Sequence, residues 1–286
     1  VVQFPNCKIN LGLHITSKRA DGFHNIETVF YPVGLKDILE IIVLNQSNSI
    51  VQNQSDRALN TLNDIEFSST GIAIPGDAAN NLCIKAYQLL KKDFPDLPAI
   101  KMHLHKHIPM GAGLGGGSAD GAFTLLLLNE KFQLNLSAEQ LINYAAILGS
   151  DCPFFILNKP VFATGRGEIL ESISLDLSNY TFVLIHPGIH VNTKWAFEQI
   201  QPKTPTKSIQ EIIQLPIKEW KHLLKNDFEA PIMQAHPEIA ETKSALYADG
   251  AIYASMSGSG SSVFGIYPQH ANIQIKKHLN YRIDII

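Results

Sequence analysis

From Phe4 to Thr16 the chain is mostly apolar, with Lys8 and Asn10 set inside the run. That pattern predicts a strand, followed by the polar turn Ser17–Gly22 and closed by Phe23-His24. Thr28–Val33 and Ile38–Leu44 predict two further strands. Asn45–Thr70 is polar and irregular and predicts a hairpin with a loop. Asn81–Lys91 places Leu82, Ala86, Leu89 and Leu90 at helical spacing. Ile100–Ile108 then alternates. Ile100, Met102, Leu104 and Ile108 share one face, and Lys101, His103, His105 and His107 share the other. A period of two is that of a half-exposed strand. Lys106 interrupts the apolar face; read alone it is an exposed strand lysine.

A glycine-rich loop follows, and Ser118–Phe132 predicts a buried helix centred on Leu125–Leu128. Ser137 and Gln140 form a capping box for a helix running to about Leu148. Beyond Asp151 the pattern changes. Phe182–His186 predicts a strand, Ser208 and Glu211 a second capping box, and Trp220–Phe228 and Pro237–Ala248 helices. Ala251–Tyr267 predicts two strands around a glycine-serine turn. Gln269–Leu279 predicts a helix and Tyr281–Ile286 a final strand. There is no internal repeat and no low-complexity linker. The order of elements predicts an α+β protein of two lobes, residues 1–155 and 156–286.

Composition narrows the function. Of 286 residues, 45% are hydrophobic and 17% charged, which predicts a soluble globular protein with room for a sizeable core. A net charge of −3 argues against nucleic-acid or anionic-membrane partners, which need a basic face. A small phosphorylated ligand needs only local positive charge. Cys7, Cys83 and Cys152 are far apart and form no C-x-x-C pair, so they predict no disulfide framework and fit a reducing cytoplasm. Val1–Pro5 shows neither the basic start nor the apolar stretch of a secretory signal.

Five of the 19 glycines fall between residues 111 and 117. Glycine lets a ligand approach the backbone, and successive N–H groups can converge on an anion. The helix that follows adds unpaired N–H groups and the positive end of its dipole. A phosphate cradle is therefore the leading reading. Gly111-x-Gly113-x-x-Gly116 also fits a dinucleotide fingerprint, but the preceding strand carries Lys101 and three histidines instead of an apolar run, and Glu130 and Glu139 miss the acidic spacing. No lysine follows the loop, so it is not a Walker loop. Asp151 reads equally as a turn aspartate before Pro153 or as a general base. Lys8 reads as an exposed-face lysine or a functional cation. His103, His105 and His107 could offer two imidazoles to zinc, though no third ligand group is evident.

The string Pro109-Met110-Gly111-Ala112-Gly113-Leu114-Gly115-Gly116-Gly117-Ser118 closely resembles the phosphate loop of the superfamily of galactokinase, homoserine kinase, mevalonate kinase and phosphomevalonate kinase. Further segments agree in family order: Lys8-Ile9-Asn10-Leu11, Arg19–His24, Leu148–Pro153, Asn226-Asp227-Phe228-Glu229 and Met256–Gly260. Within the superfamily they resemble the branch that phosphorylates a cytidine-diphosphate-linked methylerythritol in the non-mevalonate route to isoprenoid precursors.

The resemblance implies a ribosomal-S5-domain-2-like lobe and a ferredoxin-like lobe, with ATP as cosubstrate and Mg2+ to neutralise it. It implies that Asp151 is the catalytic base and that Lys8 pairs with it to orient the acceptor hydroxyl. Asn10 and His24 would contact the acceptor, His24 reading the cytosine edge and Phe197 stacking on the base. Phe23 stands where tyrosine is usual, which keeps a stacking face and loses a hydroxyl. Thr193 would touch the methylerythritol end. Asn81 and Lys106 would lie near adenine and ribose, with Pro109–Ser118 around the phosphates. Ala119 replaces a serine and Asp120 an asparagine of the family pattern. Met256–Ser262 would close on the acceptor or on the glycine loop. A sibling kinase of another small alcohol, a non-catalytic nucleotide-binding relative and an NAD oxidoreductase are the rivals.

Overall fold

The computed structural model describes residues 1–44, 60–62, 64–275 and 281–286. Its strands begin with β1 (Val2–Gln3), β2 (Asn6–Lys18), β3 (His24–Lys36) and β4 (Ile38–Val43). The hairpin β5 (Asn60–Leu62) and β6 (Ile65–Gly71) precedes α1 (Leu82–Asp93), β7 (Ile100–Lys106) and α2 (Gly116–Lys131). Next come α3 (Ala138–Leu148), α4 (Cys152–Leu157), β8 (Val161–Thr164), β9 (Ile169–Ser172) and β10 (Tyr180–His186). Five helices follow: α5 (Thr193–Glu198), α6 (Ile209–Ile212), α7 (Ile217–Leu223), α8 (Glu229–Ala235) and α9 (Pro237–Ala248). The chain closes with β11 (Tyr253–Met256), β12 (Val263–Pro268) and β13 (Arg282–Ile285).

Two compact units share the chain, and a single cut does not separate them. The first holds Val1–Cys7, Lys36–Pro109 and Gly116–Asn158; the second holds Lys8–Leu35, Met110–Gly115 and Lys159–Ile286. The expected boundary at 155 lies close to the last crossover. Lys8–Leu35 and Met110–Gly115 group with Lys159–Ile286, because β2, β3 and part of the glycine loop pack with the C-terminal half.

The first unit is built on a five-stranded sheet, ordered β1-β4-β7-β6-β5. β7 pairs antiparallel with β4 and parallel with β6. Its alternation survives in three dimensions: Ile100, Met102 and Leu104 are buried, and Lys101 and His105 are exposed. Helix α2 is buried along most of its length, from Gly116 to Leu128, which explains its near-continuous small and apolar sequence. It packs on α1. The approach is close at Gly121, where a Cβ would sit 2.9 Å from the Cβ of Leu82. Asn81 caps α1, and Ser137 with Gln140 closes the capping box expected for α3.

The second unit has two four-stranded sheets, β2-β3-β8-β9 and β11-β12-β10-β13. Its core joins Leu13 and Ile15 of β2 to Val183, Ile185, Phe228, Ile239 and Met256. Here the sequence pattern misled in two places. Trp220–Phe228 is not one helix: α7 ends at Leu223, and Asn226 bridges to Leu13 before α8 begins. Gln269–Ala271 and the residues after them turn without becoming helical up to Gln274, and 276–280 lie outside the described residues. Residues 45–59 of the expected hairpin region also lie outside them; β5 and β6 supply the hairpin. The short elements β8, β9, α4 and α5 carried too few residues to show a period. Among the described residues no helix is long and apolar enough to cross a membrane.

Gly121→Ala sets helix propensity against packing. Alanine favours the helix by about 1 kcal/mol, whereas forcing a methyl onto the immobile Leu82 Cβ costs about 1–3 kcal/mol. Thermal denaturation should therefore show a net loss of stability, and an unchanged or higher midpoint would contradict the close α1–α2 approach.

Candidate active site

In the first unit, the end of β7 leads into the loop and α2. Lys106 does not lie exposed on the strand. Its side chain is 1% exposed, bonded to Asp37 Oδ2 and, at 2.7 Å, to Asp120 Oδ2. Asp37 Oδ1 accepts the amides of His107 at 2.5 Å and Ile108 at 2.7 Å. One ammonium therefore joins the strand end, the segment before the loop and the first turns of α2. The departure at Asp120 acquires a physical reason, since its carboxylate faces a buried cation. Burial opposes the Lys106 charge, but the carboxylates of Asp120 and Asp37 outweigh it and hold the lysine above its ordinary value. Burial, with Asp37 adding to it, pushes Asp120 up to about 7 against the pull of Lys106. Among the described residues Asp120 Oδ1 is a buried oxygen with no hydrogen-bond partner.

The exposed-strand reading of Lys106 is corrected accordingly: its ammonium is turned inward onto two carboxylates. Gly116 is packed as tightly, since a Cβ there would lie 2.7 Å from Ile108 Cγ2 and 3.0 Å from Lys106 Nζ. Asn81 Oδ1 accepts the Cys83 amide at 2.9 Å as the cap of α1. Gly117 and Ser118 lie in the first turn of α2, whose leading amides have no intrahelical acceptor and suit an anion. Asp151 occupies the N-cap position of α4, yet its side chain does not cap that helix. On β7, His103 bonds Ser68 and Thr70, and His105 bonds Thr70, so both imidazoles are tied to hydroxyls of β6.

In the second unit, Lys8 and Asn10 sit side by side on β2, both buried. Lys8 Nζ donates to Asn10 Oδ1 at 2.6 Å and lies 4.6 Å from the centre of the Phe30 ring. The exposed-face reading of Lys8 is thereby overturned. Asn10 Nδ2 donates to Thr28 Oγ1 at 3.0 Å, and Asn10 N donates to Ser257 Oγ at 3.2 Å. Ser257 Oγ donates to Gly113 O at 2.8 Å. Two glycine-rich turns, residues 110–115 and 256–260, are thus laced together beside Asn10. Gly113 has φ +78°, and a Cβ on it would stand 1.9 Å from Ser257 O. Ser262 N donates to Ala112 O at 3.2 Å and Lys8 N to Leu114 O at 3.0 Å. Ala112 and Leu114 are buried, whereas Met110 is partly exposed.

His24 and Phe197 stack, with ring centres 4.9 Å apart and planes 13° from parallel. Burial, with Lys18 nearby, lowers the His24 pKa and favours the neutral imidazole. Phe23 is 54% exposed with Arg166 5.0 Å from its ring centre, outside that stack. Thr193 Oγ1 lies 3.1 Å from Ser259 Oγ. Asp37, Ser257 and Phe228 take part in these arrangements without having been singled out individually. Asp37 had no local signal, being one aspartate between two strands. Ser257 and Phe228 lay within motifs whose roles the residues alone did not define.

Residues 81–159 match the family described as GHMP kinases N terminal domain, and residues 208–283 match GHMP kinases C terminal. The chain is 52% identical over 274 residues to the 4-diphosphocytidyl-2-C-methyl-D-erythritol kinase of Bacteroides fragilis (strain YCH46), covering 96% of this chain and 94% of that protein. The protein of the same name from Bacteroides thetaiotaomicron is 52% identical over 269 residues, covering 93% and 92%. A crystal structure of 4-(cytidine 5'-diphospho)-2C-methyl-D-erythritol kinase aligns with a TM-score of 0.81 at 28% identity, covering 100% and 98%. A crystal structure of mevalonate kinase shares the fold, with a TM-score of 0.73 at 12% identity and the same coverage.

Asp120 gives a pH test. Its pKa rises from 3.8 to about 7 on folding, so folding favours the protonated form. Its contribution is most favourable below pH 3.8 and is lost as pH climbs towards 7. Asp120→Asn removes that dependence and leaves Lys106 paired one-to-one with Asp37. Relative to wild type, the variant's melting temperature should rise between about pH 4 and about pH 7. A difference independent of pH would show that Asp120 is not the titrating group.

Proposed function

Because the chain belongs to the GHMP kinases, we propose that it transfers the γ-phosphoryl group of ATP to the 2-hydroxyl of 4-diphosphocytidyl-2-C-methyl-D-erythritol, a step of non-mevalonate isoprenoid precursor synthesis. The observation that carries this reading is the 52% identity, over 96% of the chain, to a relative named for that substrate. The reaction class follows from the family: this is a small-molecule kinase with ATP as cosubstrate. A cytoplasmic setting suits its nucleotide-linked substrates and its three buried cysteines.

Phosphoryl transfer asks little covalent chemistry of a protein and much positioning. ATP enters as its magnesium complex, whose divalent charge offsets the phosphate oxygens. Among the described residues no three His, Cys, Asp or Glu side chains are grouped to hold a metal ion, so no protein ligand is assigned to it. We assign the phosphates to the glycine-rich segment Pro109–Ser118, where loop backbone and first-turn amides supply donors without side-chain entropy. Asn81 is kept as a nucleotide contact through its amide nitrogen, since its oxygen caps α1. Lys106 is kept beside the nucleotide site, its ammonium supporting the segment that enters the loop through Asp37 and Asp120.

Asp151 takes the role of base for the acceptor hydroxyl. Lys8 takes that of the cation orienting the hydroxyl, with Asn10 fixing the direction of its ammonium. The neutral His24 imidazole can read a cytosine edge by hydrogen bonding, and Phe197 offers a stacking face. Phe23 is placed at the rim of this base pocket and Thr193 at the methylerythritol end. The flat pair of rings favours a nucleobase-bearing acceptor over a simple alcohol such as mevalonate.

The direct test is ADP release with and without the cytidylated acceptor. Turnover that ignores the acceptor, or that cytidine diphosphate fails to inhibit, would remove the substrate assignment. Asp151→Ala should lower kcat by about 10²–10⁴-fold while the Kd for ATP stays within about twofold. A Lys8→Ala, Asp151→Ala double variant no slower than the worse single one would show that the two act as a unit. Phe197→Ala should raise the KM for the acceptor by roughly 5- to 100-fold, the worth of one stacked base, with the KM for ATP unmoved. An equal rise in both would assign Phe197 to the fold instead.

A further inference from the structure

Asn226-Asp227-Phe228-Glu229, running from the link after α7 into the first residue of α8, has no part in the chemistry above. It is nevertheless fastened in several directions within the second unit. Leu13 N donates to Lys225 O at 2.9 Å, and Asp227 N donates to Leu13 O at 2.8 Å, so the segment is seated on β2. Asp227 Oδ2 accepts the Ile15 amide at 2.9 Å on the same strand. Fixed there, two side chains reach outward in opposite roles.

Asn226 is 3% exposed, and its amide nitrogen donates to Met256 O and Gly258 O, both at 2.8 Å. Its oxygen accepts the Phe228 amide at 3.0 Å. The two carbonyls flank Ser257, the residue whose hydroxyl holds Gly113 O and whose own carbonyl fills the space a Cβ on Gly113 would need. Fixing Met256 and Gly258 therefore fixes the height at which the glycine loop rests. A buried primary amide satisfied by two carbonyls and one N–H can be replaced by no other side chain of its size. Phe228 is 1% exposed and meets Phe197 edge-on, with ring centres 4.9 Å apart at 86°. The face of Phe197 is thereby held parallel to His24.

We propose that Asn226 and Phe228 are positioning residues for the two ends of the reaction. Asn226 sets the phosphate loop at Gly113 by way of Ser257, and Phe228 sets Phe197 against His24 for the cytosine. This assignment rests on reading the chain as a kinase of a cytidine-diphosphate-linked acceptor. It makes one four-residue segment, touching neither substrate, the common reference for both.

The test uses the full chain and separates the two arms. Asn226→Ala should raise the KM for ATP or lower kcat by at least about tenfold, with the Kd for cytidine diphosphate within about twofold. Asn226→Asp, the same size but with an oxygen facing two carbonyls, should be worse than alanine. Phe228→Leu should do the reverse, weakening cytidine diphosphate by about tenfold with the KM for ATP within about twofold. Ser257→Ala, which removes one hydroxyl and no packing volume of note, should repeat the ATP-side effect in milder form. Hydrogen exchange of the amides at 111–115 should quicken in Asn226→Ala while α9 is unchanged. Both variants shifting both constants by the same factor, or exchange at 111–115 staying as in wild type, would reduce the segment to ordinary scaffolding. Failure of the wild-type protein to bind cytidine diphosphate would instead strike the substrate reading, and the exchange experiment would still decide the Asn226 arm.

Discussion

Backbone meets backbone at Gly113 and Ser257, where even a methyl group would lie 1.9 Å from a carbonyl oxygen. Much of the second unit is arranged around that approach. It requires glycine at 113 in a left-handed conformation, and it requires the turn at 256–260 to be held still. Ser257 then spends its hydroxyl on the Gly113 carbonyl while accepting the Asn10 amide. Asn10 in turn receives the Lys8 ammonium. The glycine loop at Gly113 and strand β2 at Asn10 are thus tied through one serine.

The first unit solves a related problem with charge. Burying Lys106 with Asp37 and Asp120 is a poor way to gain stability, because desolvating ions costs several kcal/mol each and an apolar cluster would do as well. What the arrangement supplies is direction. Asp37 also binds two consecutive amides at His107 and Ile108, so the backbone entering the loop is fixed just before Pro109. Asp120, on α2, shares the same ammonium. The strand end and the helix after the loop are therefore referred to one buried cation, and burial raises the pKa of the Asp120 carboxylate that shares it.

Aromatic packing orders a third part of the structure. His24, Phe197 and Phe228 form a file of stacked and edge-on contacts, which rings prefer over a face-to-face sandwich of three. The innermost ring is buried and the outer one retains polar nitrogens. The polarity gradient along the file suits a ligand that is apolar on its face and hydrogen-bonding at its edge.

Local chemistry was legible in the chain itself. The alternation of Ile100–Ile108, the buried run of α2, the capping boxes at Ser137 and Ser208 and the glycine cluster at 111–117 each depend on neighbours within a few residues, and each formed as expected. The order of motifs was enough to indicate a GHMP kinase. Tertiary structure decided the rest. Lys106 reads as a surface lysine until Asp37, 69 residues away in sequence, is brought to it. Lys8 reads as exposed until Asn10 and Phe30 enclose it. A helix pattern over Trp220–Phe228 yields at Leu224, and Asn226 beyond it donates to the distant Met256 and Gly258 carbonyls. The glycine loop announced in sequence that something must come close. That part of what comes close is Ser257, a residue of this same chain, follows from long-range packing, which leaves no trace in spacing or period.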